Sequence, residues 1–287
     1  MSKRRFEGMA AVITGVNDRG IGAAIADQLA QEGAQLALLW HEEPKRFLKR
    51  LEKRNIDVLS IECDVTRQSQ VNAASEKVRD RFGETDVLIN NAGIDHSGEF
   101  TSTSDEDWLS LIDVNLTGAM RVIRSFLPSL TADRGVIVNI ASVLGIAGCA
   151  GFPAYSASKA GLIGLTQSIA AEMAPQGIRA VCVAPALVKT PMLKKYLSTF
   201  DEDVLAELER SHPLGVGSPQ DVAAAVAFLA SPEARWITGV TLPLGWNAAF
   251  PLPGQMIGQK PQNSIKFPSL DATGPAEDSL PPRRAAG

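Results

Sequence analysis

The chain has 287 residues, of which 45% are hydrophobic and 21% charged, and its formal net charge is −4. That is enough apolar matter for one large core, and the mild acidity gives no basis for nucleic acid or an anionic membrane as partner. No apolar run approaches the ~20 residues of a membrane span, and residues 9–13, behind the basic Lys3-Arg4-Arg5, are too short an apolar run for a signal peptide.

Short apolar runs alternate with helical patterns along the chain. Strands are predicted at 10–13, 35–39, 58–61, 87–89, 136–140, 180–183 and 240–244, and most are apolar throughout, as parallel strands covered on both faces should be. Helices are predicted at 21–31, 44–53, 68–81, 105–130, 154–173 and 219–229. The last opens Ser218-Pro219-Gln220-Asp221, a Ser N-cap followed by Pro at the first helical position and early acidic charge. The alternation predicts an α/β fold: a single-domain, Rossmann-type, doubly wound parallel sheet of about seven strands with helices on both faces. The catalytic domain is expected to span 1–246 with a lid at about 190–215. Residues 247–287, which hold seven of the seventeen prolines and show no apolar period, read as an extended or disordered tail.

Ligands of such sheets bind beyond the carboxyl ends of the strands. The segment Gly15-Val16-Asn17-Asp18-Arg19-Gly20-Ile21-Gly22 joins the first strand to the first helix, where glycines permit close approach to a pyrophosphate and the helix start offers free N–H groups. Tyr155 and Lys159 lie four residues apart on a predicted helix and so share a face. A free tyrosine titrates near ~10, and a neighbouring ammonium lowers that value, which makes the pair a proton donor for a carbonyl under reduction. The three cysteines (Cys63, Cys149, Cys182) are widely spaced and read as reduced thiols in the cytoplasm, and the three histidines (His41, His96, His212) show no ligand spacing, so no metal site is inferred.

Taken in order, the motifs resemble the short-chain dehydrogenase/reductase (SDR) family, in its 3-oxoacyl-carrier-protein reductase-like branch. They are Thr14-Gly15 with Gly20-Ile21-Gly22, Asp64-Val65, Asn90-Asn91-Ala92-Gly93, Asn115 in Val-Asn-Leu-Thr-Gly, Ser142, Tyr155 with Lys159, and Pro185 with Thr190. The resemblance covers residues 6–246 and implies a catalytic tetrad of Asn115, Ser142, Tyr155 and Lys159. Tyr155 would exchange the proton, Lys159 would lower its pKa and hold the nicotinamide ribose, Ser142 would bind the substrate oxygen, and Asn115 would hold a water leading to Lys159. Gly15, Asn17, Arg19, Gly20, Ile21 and Gly22 would cradle the dinucleotide. Asp64 and Val65 would flank the adenine, and Asn91, Ala92 and Gly93 would line the adenosine ribose. Pro185, Val188 and Thr190 would hold the carboxamide. Val143, Leu144 and Phe152 would meet the substrate beside Ser142 and Tyr155, with further contacts from 192–212.

Four features depart from the family pattern. The glycine loop is one residue longer (Val16 to Arg19), Pro185 is followed by Ala186 where Gly is usual, Leu244-Gly245-Trp246 replaces Asp-Gly-Gly, and the tail extends past the usual end. Where an acid would bind the ribose 2′-OH of NAD, the second strand ends in Trp40. Arg19 matches the basic residue of NADP-preferring relatives, so NADP(H) is favoured over NAD(H) although Glu42 and Glu43 stand nearby. The resulting expectation is a ketoreductase acting on a small ketone or secondary alcohol, assembled as a homotetramer or homodimer on helices 105–130 and 154–173. Carrier-protein docking is disfavoured by Ala171-Glu172, where relatives place a basic residue before the Glu. The alternatives are an NAD-dependent alcohol or sugar dehydrogenase, and a dinucleotide-binding sensor or scaffold without turnover.

Overall fold

The computed structural model describes residues 4–193 and 212–246. Most of the expected lid and all of the expected tail lie outside the described residues. Seven strands form one parallel sheet in the order β3-β2-β1-β4-β5-β6-β7. They are β1 (Ala10–Thr14), β2 (Gln35–Trp40), β3 (Val58–Glu62), β4 (Val87–Asn90), β5 (Val136–Ile140), β6 (Arg179–Pro185) and β7 (Thr241–Leu244). Consecutive side chains of a strand point to opposite faces, so an all-apolar strand feeds two cores. Ala11 and Ile13 join Leu36, Leu38, Val87 and Ile89 on one face, whereas Val12 joins Ala37, Leu39 and Leu88 on the other.

Helices α1 (Ile21–Gln31) and α7 (Pro219–Ala230) cover the first face. The second is covered by α3 (Gln68–Phe82), α5 (Ala119–Phe126) and α6 (Pro153–Met173). Helix α7 begins with the expected Ser N-cap: Ser218 accepts from the Asp221 N–H, and the Asp221 carboxylate accepts from the Ser218 N–H. Helix α2 (Lys45–Glu52) has no such residue of its own. Asp18, from the glycine loop, caps it instead, accepting from the N–H groups of Arg46 and Phe47 at 2.9 and 3.0 Å. The extra loop residue therefore ties the β1–α1 turn to α2.

One predicted helix is broken. The expected helix 105–130 is α4 (Asp105–Ile112), a π-helical turn (Asp113–Gly118), α5, and a 3-10 turn (Leu127–Ser129). A π turn inserts an extra residue and re-phases the helix faces on either side. Here Asn115 is drawn inward to the backbone of Ile94, and Gly118 lies against Val65, whose Cγ2 would be 2.8 Å from any Cβ.

Strand β1 separates β2 from β4, so the connections leave in opposite directions and a crevice opens at the carboxyl ends of β1 and β4. The crevice floor is stitched together by hydrogen bonds. Thr14 Oγ1 accepts from the N–H groups of Asn91 and Ala92, both at 3.1 Å, and Asn91 Nδ2 donates to the carbonyls of Thr14 and Gly15.

Candidate active site

A cavity of about 500 Å³ occupies the carboxyl edge of the sheet, within the roughly 300–1,000 Å³ typical of small-molecule sites. Gly15, Asn17, Gly20 and Ile21 form its wall at the first turn. Gly15 has φ of +67°, and a Cβ there would lie 2.4 Å from the Ala92 Cα. The backbone crossing thus requires both the left-handed conformation and the missing side chain. Gly22 is off the wall, packed against Asn91. Asn17 Oδ1 accepts from the N–H groups of Arg19 and Gly20, which holds the longer loop in one shape.

Asp64 and Val65, together with Asn91, Ala92 and Gly93, line the same half. Burial works to raise the Asp64 pKa, but hydrogen bonds from the hydroxyl and N–H of Thr66, with His41 and Arg67 nearby, hold it below its ordinary value. Two expected contacts are not on this wall. Trp40 donates its indole N–H to Ser60 Oγ on β3 at 2.7 Å. Strand alternation puts Trp40 on the face of Leu36 and Leu38, and it is the next residue, His41, that reaches the cavity. Arg19 is exposed and is not among the wall residues.

The other half of the wall carries Ser142, Val143, Leu144, Phe152, Tyr155 and Lys159. Ser142 ends the β5 connection and caps a short 3-10 turn (Val143–Gly145), accepting from the Leu144 N–H at 3.2 Å. Its hydroxyl proton is thereby left for a donor bond. Tyr155 and Lys159 rise from the first turns of α6, with Lys159 Nζ 5.7 Å from the tyrosine ring centroid. Lys159 is 4% exposed, and Nζ donates to the Ile140 carbonyl at 2.9 Å. Burial pushes its pKa down to about 8, with only the Cys182 thiol acting the other way. No carboxylate pairs with it among the described residues.

Asn115 lies behind the wall, 1% exposed. Its Oδ1 accepts from the Ile94 N–H at 2.8 Å, and its Nδ2 donates to the Ile94 carbonyl and to Ser158 Oγ. Ser158 in turn donates to the Tyr155 carbonyl at 2.7 Å. The side-chain amide is therefore committed to protein partners, and it links the π turn, the β4 loop and the start of α6.

Pro185, Val188 and Thr190 line the far end. Ala186 continues the β6–β7 ladder by donating to the Leu244 carbonyl at 2.9 Å, and its φ is not positive, so this backbone does not need a glycine. His212, the last residue of the expected substrate segment 192–212, is on the wall. It is buried, and its Nε2 accepts from the Leu187 N–H at 3.2 Å, pinning the loop after β6. His41 and Asp95 are wall residues that motif matching does not reveal: His41 directly follows β2, and Asp95 lies two residues past the Asn90–Gly93 motif.

The chain that joins this glycine turn to a Ser-Tyr-Lys wall has known relatives. The family model described as enoyl-(acyl carrier protein) reductase matches residues 15–244. The 3-oxoacyl-[acyl-carrier-protein] reductase FabG of Vibrio cholerae serotype O1 is 37% identical over 239 residues, 83% of this chain and 96% of its own length. The protein of that name from Escherichia coli K12 is 38% identical over 240 residues, with the same shares. The chain belongs to the short-chain dehydrogenase/reductase family. Solved SDR structures agree in fold. A dehydrogenase/reductase from Sinorhizobium meliloti 1021 gives a TM-score of 0.78 at 33% identity, covering 86% of this chain and 98% of its own. A short-chain dehydrogenase from Burkholderia cenocepacia J2315, solved in complex with NADP, gives 0.76 at 33% identity, covering 83% and 97%. As an SDR of the ketoreductase type, the protein is an oxidoreductase that works with a nicotinamide cofactor. The cavity fits that group, because the bare Gly15 turn leaves backbone exposed at one end and Thr190 and Lys159 stand at the other.

Proposed function

We propose that the protein reduces a small ketone with NADPH, using Tyr155 as the acid. The observation that carries this reading is the buried Lys159 ammonium, with no carboxylate partner among the described residues, beside the Tyr155 ring on the cavity wall. When bound, the nicotinamide supplies the hydride. The chain's own residues do the rest. Ser142 donates to the ketone oxygen as charge gathers there. Tyr155 gives that oxygen its proton, and the Lys159 charge stabilises the phenolate that remains. Asn115 acts as a positioning residue, holding Ile94 and the first turn of α6 in register. Val143, Leu144 and Phe152 enclose the apolar part of the substrate. Gly15, Gly20, Ile21, Asp64 and Asn91 to Gly93 would hold the dinucleotide, with Pro185, Val188 and Thr190 at its carboxamide.

NADPH is favoured over NADH on two grounds. The end of β2 presents His41 rather than an acid to the cavity, and a carboxylate is what selects a free 2′-OH. A similar SDR was solved with NADP. Assembly as a homotetramer or homodimer is supported by exposed apolar residues beside the β7 edge, Phe228, Trp236 and Val240, and by Phe100 and Leu109 near α4. No helix among the described residues is long and apolar enough to cross a membrane. The likeness to the 3-oxoacyl-[acyl-carrier-protein] reductases supports a cytoplasmic protein.

Tyr155→Phe tests the mechanism. NADPH-dependent ketone reduction should fall about 10²–10⁴-fold, while NADPH still raises the melting temperature as in the wild type. Retained turnover would refute Tyr155 as the acid. Turnover with NAD⁺ and an alcohol, but none with NADPH and a ketone, would identify instead an NAD-dependent dehydrogenase built on the same residues.

A further inference from the structure

Residues 41–55 run against the charge of the chain: they hold six Lys or Arg and three Glu in a protein of net charge −4. Helix α2 turns Phe47 and Leu51 into the core beside Leu36 and Leu38, and leaves Arg46, Lys49, Arg50 and Lys53 exposed. Other cations of this stretch are engaged. Lys45 lies 3.8 Å from Glu43, and Arg54 pairs with Asp27. Arg50 stacks its guanidinium over the Phe47 ring, 4.9 Å from the centroid, and keeps its charge. Among the described residues no hydrogen bond or ion pair engages the side chains of Arg46, Lys49 and Lys53. The start of α2 is tied to the cavity. Its cap Asp18, which accepts from the Arg46 and Phe47 N–H groups, directly follows Asn17 of the wall, and His41, also on the wall, lies just ahead of the helix. Asp64 on that wall is matched by Arg67 at 3.8 Å. Asp18, Glu42 and Glu52 are left against Arg19, Arg46, Lys49, Arg50 and Lys53, so the balance at this end is cationic.

We propose that the exposed face of α2 is a capture surface for the anionic dinucleotide, which it steers to the glycine-turn end of the cavity. This rests on the nicotinamide reading of that cavity and adds how the cofactor is gathered. A cationic surface beside a cleft raises the local concentration of an anion and its rate of association. Charges at a rim act on the on-rate and its salt dependence more than on the off-rate. No contact with the bound cofactor is required, and none of the α2 cations is on the cavity wall. The effect grows with the charge of the ligand. The 2′-phosphate of NADPH adds about −1.5 to −2 to the roughly −2 of the pyrophosphate, so NADPH gains about twice as much as NADH in the logarithm of its rate. The gain also falls along the helix, because Lys53 stands ~10 Å beyond Arg46 at 1.5 Å per residue.

The test is stopped-flow binding of NADPH and of NADH to the full chain, read by nicotinamide fluorescence, which yields kon and koff without any ketone. The wild type is compared with Arg46→Glu, with the double variant Arg46→Glu, Lys49→Glu, and with Arg235→Glu. Arg235 is exposed ahead of β7, at the far edge of the sheet from β2, so its reversal changes the total charge without touching α2. Binding is followed at about 10 mM salt, where the Debye length is ~30 Å, and at about 1 M, where it is ~3 Å. At the lower salt, kon for NADPH should fall about tenfold in the double variant and about threefold in Arg46→Glu, and NADH should lose about the square root of each factor. The koff values should stay within about twofold, and the differences should vanish at the higher salt. An unchanged kon in the double variant, an equal loss in Arg235→Glu and Arg46→Glu, or a loss carried by koff overturns the inference. Either dinucleotide reads it, whichever one the enzyme prefers. Equal affinity for NADPH and NADH at the higher salt would count against the NADPH preference alone. Equal melting temperatures without cofactor show that the variants are folded.

Discussion

The two edges of the sheet treat charge in opposite ways. At the amino edge, Asp86 is 2% exposed, accepts from the Ala10 N–H and the Thr131 hydroxyl at 2.8 and 2.9 Å, and forms an ion pair with Arg134 Nε at 2.7 Å. Nearby, Glu32 takes hydrogen bonds from Arg5 and Gln28, and the Arg5 bond holds its pKa below the ordinary value despite burial. At the carboxyl edge, Lys159 is just as buried but has no carboxylate partner among the described residues, and its charged form is disfavoured. One edge lowers the energy of its ions and stabilises the fold. The other leaves an ion strained, and that is where a reacting group needs help.

Changes at each edge should therefore have opposite signatures. The largest effect is expected from Lys159→Met. Ketone reduction should drop by about 10²-fold or more, while the melting temperature at neutral pH rises. The fall of the lysine pKa from 10.5 to about 8 corresponds to roughly 3 kcal/mol of penalty on the charged form. Below pH 8 the folded state bears all of it. Between 8 and 10.5 the unfolded chain binds more protons than the folded one, so wild-type stability rises with pH. The stability advantage of the methionine variant should shrink across that window. Melting curves at several pH values check this, and a variant less stable than the wild type at pH 7 would refute it.

Asp86→Ala should do the reverse. It leaves the buried Ala10 N–H and Thr131 hydroxyl without their acceptor, at about 2–3 kcal/mol, with kcat per folded molecule unchanged. Denaturant unfolding and an active-site titration separate the two quantities. Ser218→Ala removes the N-cap of α7, and a loss of about 1 kcal/mol is expected. Equal losses from both substitutions would mean that the amino-edge network is no stronger than a single cap.

The sheet was legible because its strands are apolar on both faces, and all seven predicted strands fall within two residues of those observed. The break in helix 105–130 was not. It depends on Ile94 and Val65, which are distant in sequence and impose the π turn through tertiary contact. The same division runs through the site. The Gly15 and Asn91 motifs were readable because each follows directly on an apolar strand, β1 and β4. Trp40 and His41 were not, because the period of two in a strand turns a one-residue misplacement into the opposite face. Arg19 is exposed while its neighbour Asp18 caps α2, and His212, at the end of the expected segment 192–212, accepts from the Leu187 N–H.

Gly145 has a consequence for how the catalytic groups keep their spacing. A Cβ there would lie 2.7 Å from the Lys159 carbonyl carbon and 2.9 Å from the Ala160 nitrogen. The turn that carries Ser142 thus rests directly on the backbone of α6, main chain against main chain, with no side chain between to act as a spring. Ser142 and Lys159 behave as parts of one dowelled joint. That contact fixes the backbone of one relative to the backbone of the other, and a drift of ~1 Å in such a placement is enough to slow a reaction about a hundredfold.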